Sequence, residues 1–262
     1  MSFQEISYEH RRETAWIYLD RSSEMNSINT QLAIELDDAL HKAATDDSVR
    51  VLVISGKGRA FCAGADLKAF LAGLNNQKNR GPDFLDLIVK ALNHLRYFSK
   101  PVIAAVNGLA LAGGLELAMC CDLVIAAQSA KLGDAHSNFG VFPGGGGAAV
   151  LPRRVGLNRA KYLLFTGDFI SAAEMKDYGL VNQVVADEEL ESAVQILADK
   201  LSAKSPLVLK RMKEVANQSL FQSQEAALRH ELLHLRDHMR SYDLMEGLAA
   251  FKEKRQPHFK GE

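Results

Sequence analysis

Short apolar runs alternate with amphipathic segments along the first part of the chain. Runs rich in Val, Ile, Leu and Ala that are bounded by polar residues or glycine indicate strands buried in a sheet. The predicted strands are 14–19, 51–55, 101–106 and 123–127. Leucines recur at helical spacing within 31–45, and 83–98 ends before a Ser-Lys-Pro sequence, which predicts two helices. Strands that alternate with helices predict an α/β fold.

The pattern changes after Pro152, where most segments have helical spacing. The predicted helices here are 157–165, 171–178, 187–203, 205–219 and 222–240. A short apolar run at 181–185 indicates a strand among them. We therefore predict a mixed core over residues 1–200 and a helical C-terminal part over residues 201–262. The polar, Gly- and Asn-rich stretch 71–83 is predicted to be a mobile loop.

Charge and cysteine content restrict the partners and the location. The 262 residues include 31 Lys and Arg and 32 Asp and Glu, a formal charge of −1, which predicts no nucleic-acid or anionic membrane partner. Every long apolar run is interrupted by glycine or a charge, so no membrane span is predicted. The three cysteines, Cys62, Cys120 and Cys121, lack zinc-type spacing and indicate free thiols in a reducing compartment. We expect a cytoplasmic protein.

Two stretches of small residues follow predicted strands, AFCAGADLKAF at 60–70 and AVNGLALAGGLELAMCCD at 105–122. The first is either a simple tight turn or a turn in which the small residues 63–65 expose backbone groups to a ligand. In the second, a helix that begins near Gly113 leaves unpaired N–H groups at its start. If the two turns face each other, two N–H donors surround one oxygen and form an oxyanion hole.

Glu116 follows the second turn after one turn of helix, among apolar neighbours. Partial desolvation would raise the pKa of this carboxyl group and suit it to general acid/base catalysis. Taken alone, Glu116 is better explained as a charge that stabilises a helix N-terminus. The pattern HELLH at 230–234, with His238 one turn further, matches a zinc-binding sequence, although such pairs arise readily on amphipathic helices.

In combination, these segments resemble the enoyl-CoA hydratase/isomerase family, also called the crotonase family. The segments that carry the resemblance are 19–29, 51–67, 101–127, 132–133, 140–156, 166–185 and 247–259. The resemblance implies a spiral of β-β-α repeats, with a C-terminal helical part that covers the site and mediates assembly into a trimer or a dimer of trimers. It also implies an acyl-CoA thioester as substrate, with no cofactor beyond the coenzyme A of that substrate and no metal.

The resemblance also assigns residues. It implies that the N–H groups of Ala65 and Gly113 hold the thioester oxygen, and that the carbonyl of Ala63 lies near the adenine of coenzyme A. Residues lining the bound acyl-CoA would be Ala65, Asp66, Leu67 and Lys68. Glu116 falls on the first of the two glutamates of family hydratases. The glycine-rich segment 143–147 would close over the acyl pocket.

At the second glutamate position this sequence has His136, in LGDAHSNFG. A histidine that titrates near neutrality can deliver a proton or hold water, so His136 can replace the carboxylate. The alternative is a histidine that is merely hydrogen-bonded in the pocket wall. Asp134 could supply a second acid, and an extended segment would place it on the same strand face as His136.

The function that this resemblance implies is hydration of a 2-enoyl-CoA to a 3-hydroxyacyl-CoA, with Glu116 and His136 as the catalytic side chains. A double-bond isomerase that uses one carboxylate is the alternative within the family. Alternatives from other classes are a zinc hydrolase that uses HELLH and a non-catalytic protein that binds acyl-CoA or RNA. The charge balance argues against RNA binding, and the intact glycine turns beside Glu116 argue against a non-catalytic protein. A metal analysis of the purified protein would separate the zinc alternative from the others.

Overall fold

The computed structural model describes residues 3–75 and 82–262. The ten strands of these residues are β1 (Ile6–Arg11), β2 (Thr14–Leu19), β3 (Val51–Gly56), β4 (Ala60–Cys62), β5 (Val102–Val106), β6 (Leu109–Leu111), β7 (Leu123–Ala127), β8 (Lys131–Gly133), β9 (Phe169–Ser171) and β10 (Gln183–Val185). The helices before the C-terminal part are α1 (Thr30–Thr45), α2 (Leu67–Asn75), α3 (Phe84–Arg96), α4 (Gly113–Cys120), α5 (Gly147–Val155), α6 (Leu157–Thr166), α7 (Ala172–Asp177) and α8 (Leu190–Ser202). The last three helices are α9 (Pro206–Ser219), α10 (Gln224–His238) and α11 (Tyr242–Glu253).

The strands form two sheets. The larger has the order β1-β2-β3-β5-β7-β10, and the smaller has the order β4-β6-β8-β9. All neighbours are parallel except β1 with β2 and β8 with β9. The α/β prediction is confirmed. The sequence patterns identified five strands of the larger sheet and none of the smaller one, whose strands are each three residues long.

The strands of the larger sheet form because both faces are covered. Every residue of β2, β3 and β5 is buried, which is typical of parallel strands between helices. Helix α8 packs across β2, β3, β5 and β7, and the Trp16 indole donates to Gln195 of that helix at 2.9 Å. Helices α1 and α3 pack on each other. Cys62, Cys120 and Cys121 are buried free thiols within this core, as predicted.

The segment 71–83, predicted to be a mobile loop, is helical at its start. Its first residues form the end of α2, and residues 76–81 lie outside the described residues. At its other end, Asp83 caps α3: its carboxylate accepts the Asp86 N–H at 2.9 Å, and the Asp86 carboxylate accepts the Asp83 N–H at 3.0 Å. This reciprocal capping box explains where α3 begins.

The C-terminal helices α9, α10 and α11 agree with the predicted helical character of residues 201–262, although α11 had not been identified as a separate helix. Helices α9 and α10 pack on each other. The division of the chain at residue 200 stays a prediction. Among the described residues, no helix combines the length and apolar character needed to cross a bilayer.

Candidate active site

Two glycine-rich turns lie side by side because the strands before them are parallel neighbours. β4 and β6 pair so that Ala60 faces Leu109 and Cys62 faces Ala110, and each strand leads through a turn into a helix. Gly114, in the first turn of α4, lies against β4, since a Cβ placed there would be 1.9 Å from the carbonyl oxygen of Cys62. Glycine permits this approach, which holds the start of α4 beside the turn that follows β4.

This packing brings the backbone amides of Ala65 and Gly113 together. A Cβ placed on Gly113 would lie 3.4 Å from the nitrogen of Ala65. The turn is held by hydrogen bonds of 2.8 Å from Ile28 N–H to the Gly64 carbonyl and from Asp66 N–H to the Ile28 carbonyl. Within the part of the chain that the structure describes, neither the Ala65 nor the Gly113 amide donates to a protein acceptor. Both N–H groups are therefore available to one ligand oxygen, as in an oxyanion hole.

The residue before α4 has a strained backbone. Ala112 has φ +50° and ψ −118°, a combination that residues with a side chain rarely adopt and that costs about 1–3 kcal/mol. Its N–H donates to the carbonyl of Gly133 at 3.0 Å, which ties the turn to the end of β8. Because the ψ angle of Ala112 sets the plane of the next peptide, this conformation orients the N–H of Gly113.

The other residues predicted to bind acyl-CoA lie on the turn after β4 and at the start of α2. Leu67 and Lys68 are exposed, and Ala63 is half-buried. The Asp66 carboxylate already has partners: it accepts the Lys68 N–H at 3.0 Å and lies 3.2 Å from an Arg21 guanidinium nitrogen. Asp66 therefore caps α2, and contact of these residues with acyl-CoA stays a prediction.

Glu116 lies one turn into α4 with its side chain buried. Its Oε1 accepts two backbone hydrogen bonds of 2.8 Å, from Gly145 N–H and from Gly147 N–H. A Cβ on Gly145 would lie 2.7 Å from Oε2 of Glu116 and 2.5 Å from Cδ1 of Leu92, so the absence of a side chain lets the loop close on the carboxylate. The segment 143–147 is thus a carboxylate-holding loop, a role that its sequence pattern had not identified.

The surroundings of Glu116 raise the pKa of its carboxyl group above the ordinary value. Burial is the largest influence and raises the pKa of the carboxyl group, and the nearby Asp134 carboxylate acts in the same direction. The hydrogen bonds from Gly147 and Gly145 and the charge of His136 lower the pKa in part, but the net shift is upward. A carboxyl group whose pKa is raised toward neutrality is suited to take up and release a proton.

Asp134 and His136 meet beside Glu116 through a turn. Ala135 between them is left-handed, with φ +53°, and His136–Phe139 form a 3₁₀ helix. The extended segment considered from the sequence is therefore wrong for these residues, yet their side chains still meet, with Nδ1 of His136 3.0 Å from Oδ1 of Asp134. Burial lowers the pKa of His136, but the hydrogen bond to Asp134 and the charges of Asp134 and Glu116 outweigh it and raise the pKa.

Arg96 at the end of α3 is a second feature that the sequence patterns did not reveal. One guanidinium nitrogen donates to the carbonyl of Gly145 at 2.7 Å, and another donates to Oδ1 of Asn93 at 2.6 Å. The hydrogen bond to Gly145 ties the carboxylate-holding loop to α3. Arg96 thereby supports the position of Glu116 without contacting its carboxylate.

The HELLH sequence lies on α10, in the C-terminal helical part. The Nε2 atoms of His230 and His234 are 3.0 Å apart, and Nδ1 of His238 lies 3.1 Å from the hydroxyl of Ser241. Across residues 3–75 and 82–262, no group of three or more His, Cys, Asp or Glu side chains is arranged to hold a metal ion. The geometry therefore gives no support to a zinc site at HELLH.

Known proteins are similar to this chain over nearly its full length. A model of the family described as Enoyl-CoA hydratase/isomerase matches residues 9–262. Similar proteins include a crotonyl-CoA hydratase of Syntrophomonas wolfei, 39% identical over 260 residues with 99% of each chain covered. Another is a 2,3-dehydroadipyl-CoA hydratase of Escherichia coli, 38% identical over 262 residues, covering 98% of this chain and 99% of that one.

Solved structures extend the similarity to three dimensions. The enoyl-CoA hydratase from Bacillus anthracis has a TM-score of 0.93 at 38% identity and covers 99% of this chain and 100% of that chain. An enoyl-CoA hydratase from Mycobacterium tuberculosis has a TM-score of 0.89 at 33% identity, covering 98% of this chain and 99% of its own. With both its sequence and its fold matched over nearly their full length, this chain belongs to the enoyl-CoA hydratase/isomerase family.

Proposed function

We propose that this protein adds water across the 2,3 double bond of an enoyl-CoA and forms a 3-hydroxyacyl-CoA. The observation that carries the proposal is the buried carboxylate of Glu116, one helical turn after Gly113, in a site where the N–H groups of Gly113 and Ala65 are both available. Similar proteins named as crotonyl-CoA hydratase and 2,3-dehydroadipyl-CoA hydratase support the same reaction.

The two amides bind the carbonyl oxygen of the thioester. As hydroxide adds at C3, the electrons of the double bond move toward this oxygen and give an enolate. Two fixed N–H donors stabilise that charge more strongly than the neutral carbonyl of the substrate, by about 3–4 kcal/mol per donor. Because they belong to the backbone, their orientation is set by β4, β6 and the turn at Ala112.

Glu116 and His136 handle the protons. Glu116 removes one proton from water, whose oxygen bonds to C3, and His136 in its protonated form delivers a proton to C2. These two steps add the elements of one water molecule to the double bond. Proton exchange between the two side chains and solvent then restores ionised Glu116 and protonated His136. No metal or additional cofactor takes part, since coenzyme A belongs to the substrate.

Assembly into a trimer, or a dimer of trimers, belongs to the same proposal. Large apolar side chains are exposed along the C-terminal helices, where a neighbouring copy would cover them. They are Leu228, Leu232, Leu233, Leu235, Met239, Met245, Leu248 and Phe251. The three buried free thiols support a reducing compartment, and we place the protein in the cytoplasm.

The ultraviolet absorbance of the conjugated thioester tests the reaction. Mixed with 2-enoyl-CoAs, the purified protein is expected to remove this absorbance as the double bond is hydrated. Absorbance gained from 3-enoyl-CoAs, with no loss from 2-enoyl-CoAs, would instead identify a one-carboxylate isomerase and overturn the proposal.

Glu116→Gln is expected to lower kcat by 10³-fold or more, because the amide cannot accept the proton of water. Glu35→Gln is a matched control: Glu35, in α1, is also buried, and its carboxylate accepts the backbone N–H groups of Gln4 and Glu5. That variant should keep the turnover of its folded fraction. Full turnover by Glu116→Gln would contradict the assignment.

A further inference from the structure

We propose that Asp134 is a positioning residue for His136, which it keeps protonated on Nδ1 and cationic so that Nε2 delivers the proton to C2. This inference rests on the proposed hydration. According to this inference, the second catalytic position is occupied by a pair of side chains, Asp134 and His136, rather than by His136 alone.

The contacts of His136 separate its two ring nitrogens. Nδ1 lies 3.0 Å from Oδ1 of Asp134, and the backbone N–H of His136 also donates to Oδ1, at 3.4 Å. A carboxylate can only accept, so Nδ1 must carry the hydrogen of this contact. Within the described residues, Nε2 makes no hydrogen bond with a protein group, which leaves it for the substrate.

The burial of Asp134 accounts for the positive charge. Asp134 is 1% exposed, and its Oδ2 has no hydrogen-bond partner among the described residues. A buried carboxylate without a cation is strongly unfavourable, whereas a neighbouring imidazolium compensates it. Neutral His136 would leave that charge with one N–H donor from the ring and a long backbone contact. Proton loss from His136 is therefore opposed for as long as Asp134 is ionised.

Gly147 keeps Asp134 in place and links it to Glu116. A Cβ on Gly147 would lie 2.5 Å from Oδ2 of Asp134, so the backbone of the loop forms a wall against this oxygen. The N–H of the same residue donates to Glu116 at 2.8 Å. One glycine thus contacts the base through its N–H and confines the positioning carboxylate through its Cα.

Few other charges face the imidazole. The titratable groups on the elements around the turn are Glu116 on α4, Arg159, Lys161 and Tyr162 on α6, Lys131 on β8, and Asp168 before β9. The three titratable side chains on α6 are exposed, and the Tyr162 hydroxyl donates to the Asp168 carboxylate at 2.8 Å. Asp134 and Glu116 are the groups that raise the pKa of His136, and of these two Asp134 is the one hydrogen-bonded to its ring.

A double-mutant cycle tests the proposal. Asp134→Asn is expected to lower kcat by on the order of 10²-fold with little change in KM, and to move the alkaline limb of the kcat profile to lower pH. The sign follows from the charge: without the carboxylate, His136 loses its proton at lower pH. In a His136→Glu background the same change should be neutral or favourable, because it removes a carboxylate beside another.

The outcomes separate positioning from a structural role. An equal loss in both backgrounds would mean that Asp134 only supports the fold, and would overturn the proposal. The chain offers a matched control in a second pair, where Nδ1 of His94 lies 2.7 Å from Oδ1 of Asp37, between α3 and α1. Asp37→Asn should leave kcat and its pH profile unchanged.

A measurement without turnover keeps this inference distinct from the proposed function. With ¹³Cε1-labelled histidine, the NMR signal absent from His136→Gln identifies His136, and its titration gives its pKa in wild type and in Asp134→Asn. We expect a lower pKa in the variant even if the protein hydrates none of the enoyl-CoAs offered. An unchanged pKa overturns the pair, whatever the activity.

Discussion

The two halves of the active site use different chemical groups: one uses backbone amides and the other uses ionisable side chains. The oxyanion half consists of the Ala65 and Gly113 amides, and its geometry depends on strand register and on glycine packing. The proton-transfer half consists of Glu116, Asp134 and His136, whose properties depend on burial and on neighbouring charges. The first half does not titrate and is disrupted by added volume. The second half titrates and is disrupted by isosteric changes of charge.

Among the substitutions that change packing or support around the site, Gly114→Ala should have the largest effect, because it acts on the packing of the oxyanion half. The added Cβ would lie 1.9 Å from the carbonyl oxygen of Cys62, so α4 and β4 must separate. We expect kcat/KM to fall by roughly 10²- to 10³-fold through the displaced amide, and the free energy of unfolding to fall by about 1–3 kcal/mol. Steady-state kinetics and chemical denaturation measure the two effects.

Gly247→Ala is the control for that substitution. A Cβ on Gly247, in α11, would lie 3.5 Å from the ring of Phe259, an ordinary van der Waals distance, so activity and stability should stay near wild type. Wild-type kinetics for Gly114→Ala would show that the two turns tolerate separation. The statement that added volume disrupts the oxyanion half would then be wrong.

Arg96→Met should have an intermediate effect, confined to the proton-transfer half. It removes the 2.7 Å hydrogen bond that ties Gly145, and through it Glu116, to α3. A hydrogen bond from a charged donor contributes about 1.5–3 kcal/mol, and we expect kcat to fall by about 10-fold. Arg154→Met is the matched control, because Arg154 donates to the carbonyl of Met119 at 3.2 Å, at the other end of α4.

Arg154→Met should lose less stability in thermal unfolding than Arg96→Met, because Arg154 makes a hydrogen bond of 3.2 Å and Arg96 makes shorter ones to Gly145 and Asn93. Turnover should fall in Arg96→Met alone. Equal kinetics in the two variants would show that the loop holds Glu116 without help from α3.

Ala112→Gly should have the smallest effect, and one of opposite sign. Glycine adopts φ +50° without the penalty that alanine incurs, although it costs about 0.5–1 kcal/mol in the unfolded chain. The relief of backbone strain exceeds the cost of glycine in the unfolded chain, so we expect the free energy of unfolding to rise by about 1 kcal/mol. The kcat should stay within a few-fold of wild type. A loss of stability in chemical denaturation would show that the turn at Ala112 is not strained.

The sequence predicted the parts of this molecule that depend on local patterns. The larger sheet was visible because both faces of its strands are apolar, as in β3 and β5. The smaller sheet was not, because strands of three residues are too short to show a period. The pairing of these short strands nevertheless sets the positions of Ala65 and Gly113. These two residues had been assigned to the oxyanion hole through the family resemblance.

The missed features of the site depend on distant contacts or on single backbone angles. Gly145 and Gly147 reach Glu116 across 29 and 31 residues, and no local pattern records such contacts. The meeting of Asp134 with His136 depends on the left-handed conformation of Ala135, an angle that alanine seldom adopts. The sequence could therefore bring the two side chains together only on the condition of an extended segment, which the structure does not have.

The burial of the cysteines affects whether the substrate can react with the protein itself. A 2-enoyl thioester is an electrophile, and a thiolate can add to the same carbon that water attacks. Burial raises the pKa of Cys62 to about 12 and that of Cys120, one helical turn beyond Glu116, to about 11. Because the thiolate rather than the thiol is the nucleophile, these sulfurs stay unreactive at neutral pH, and the protein is protected from alkylation by its own substrate.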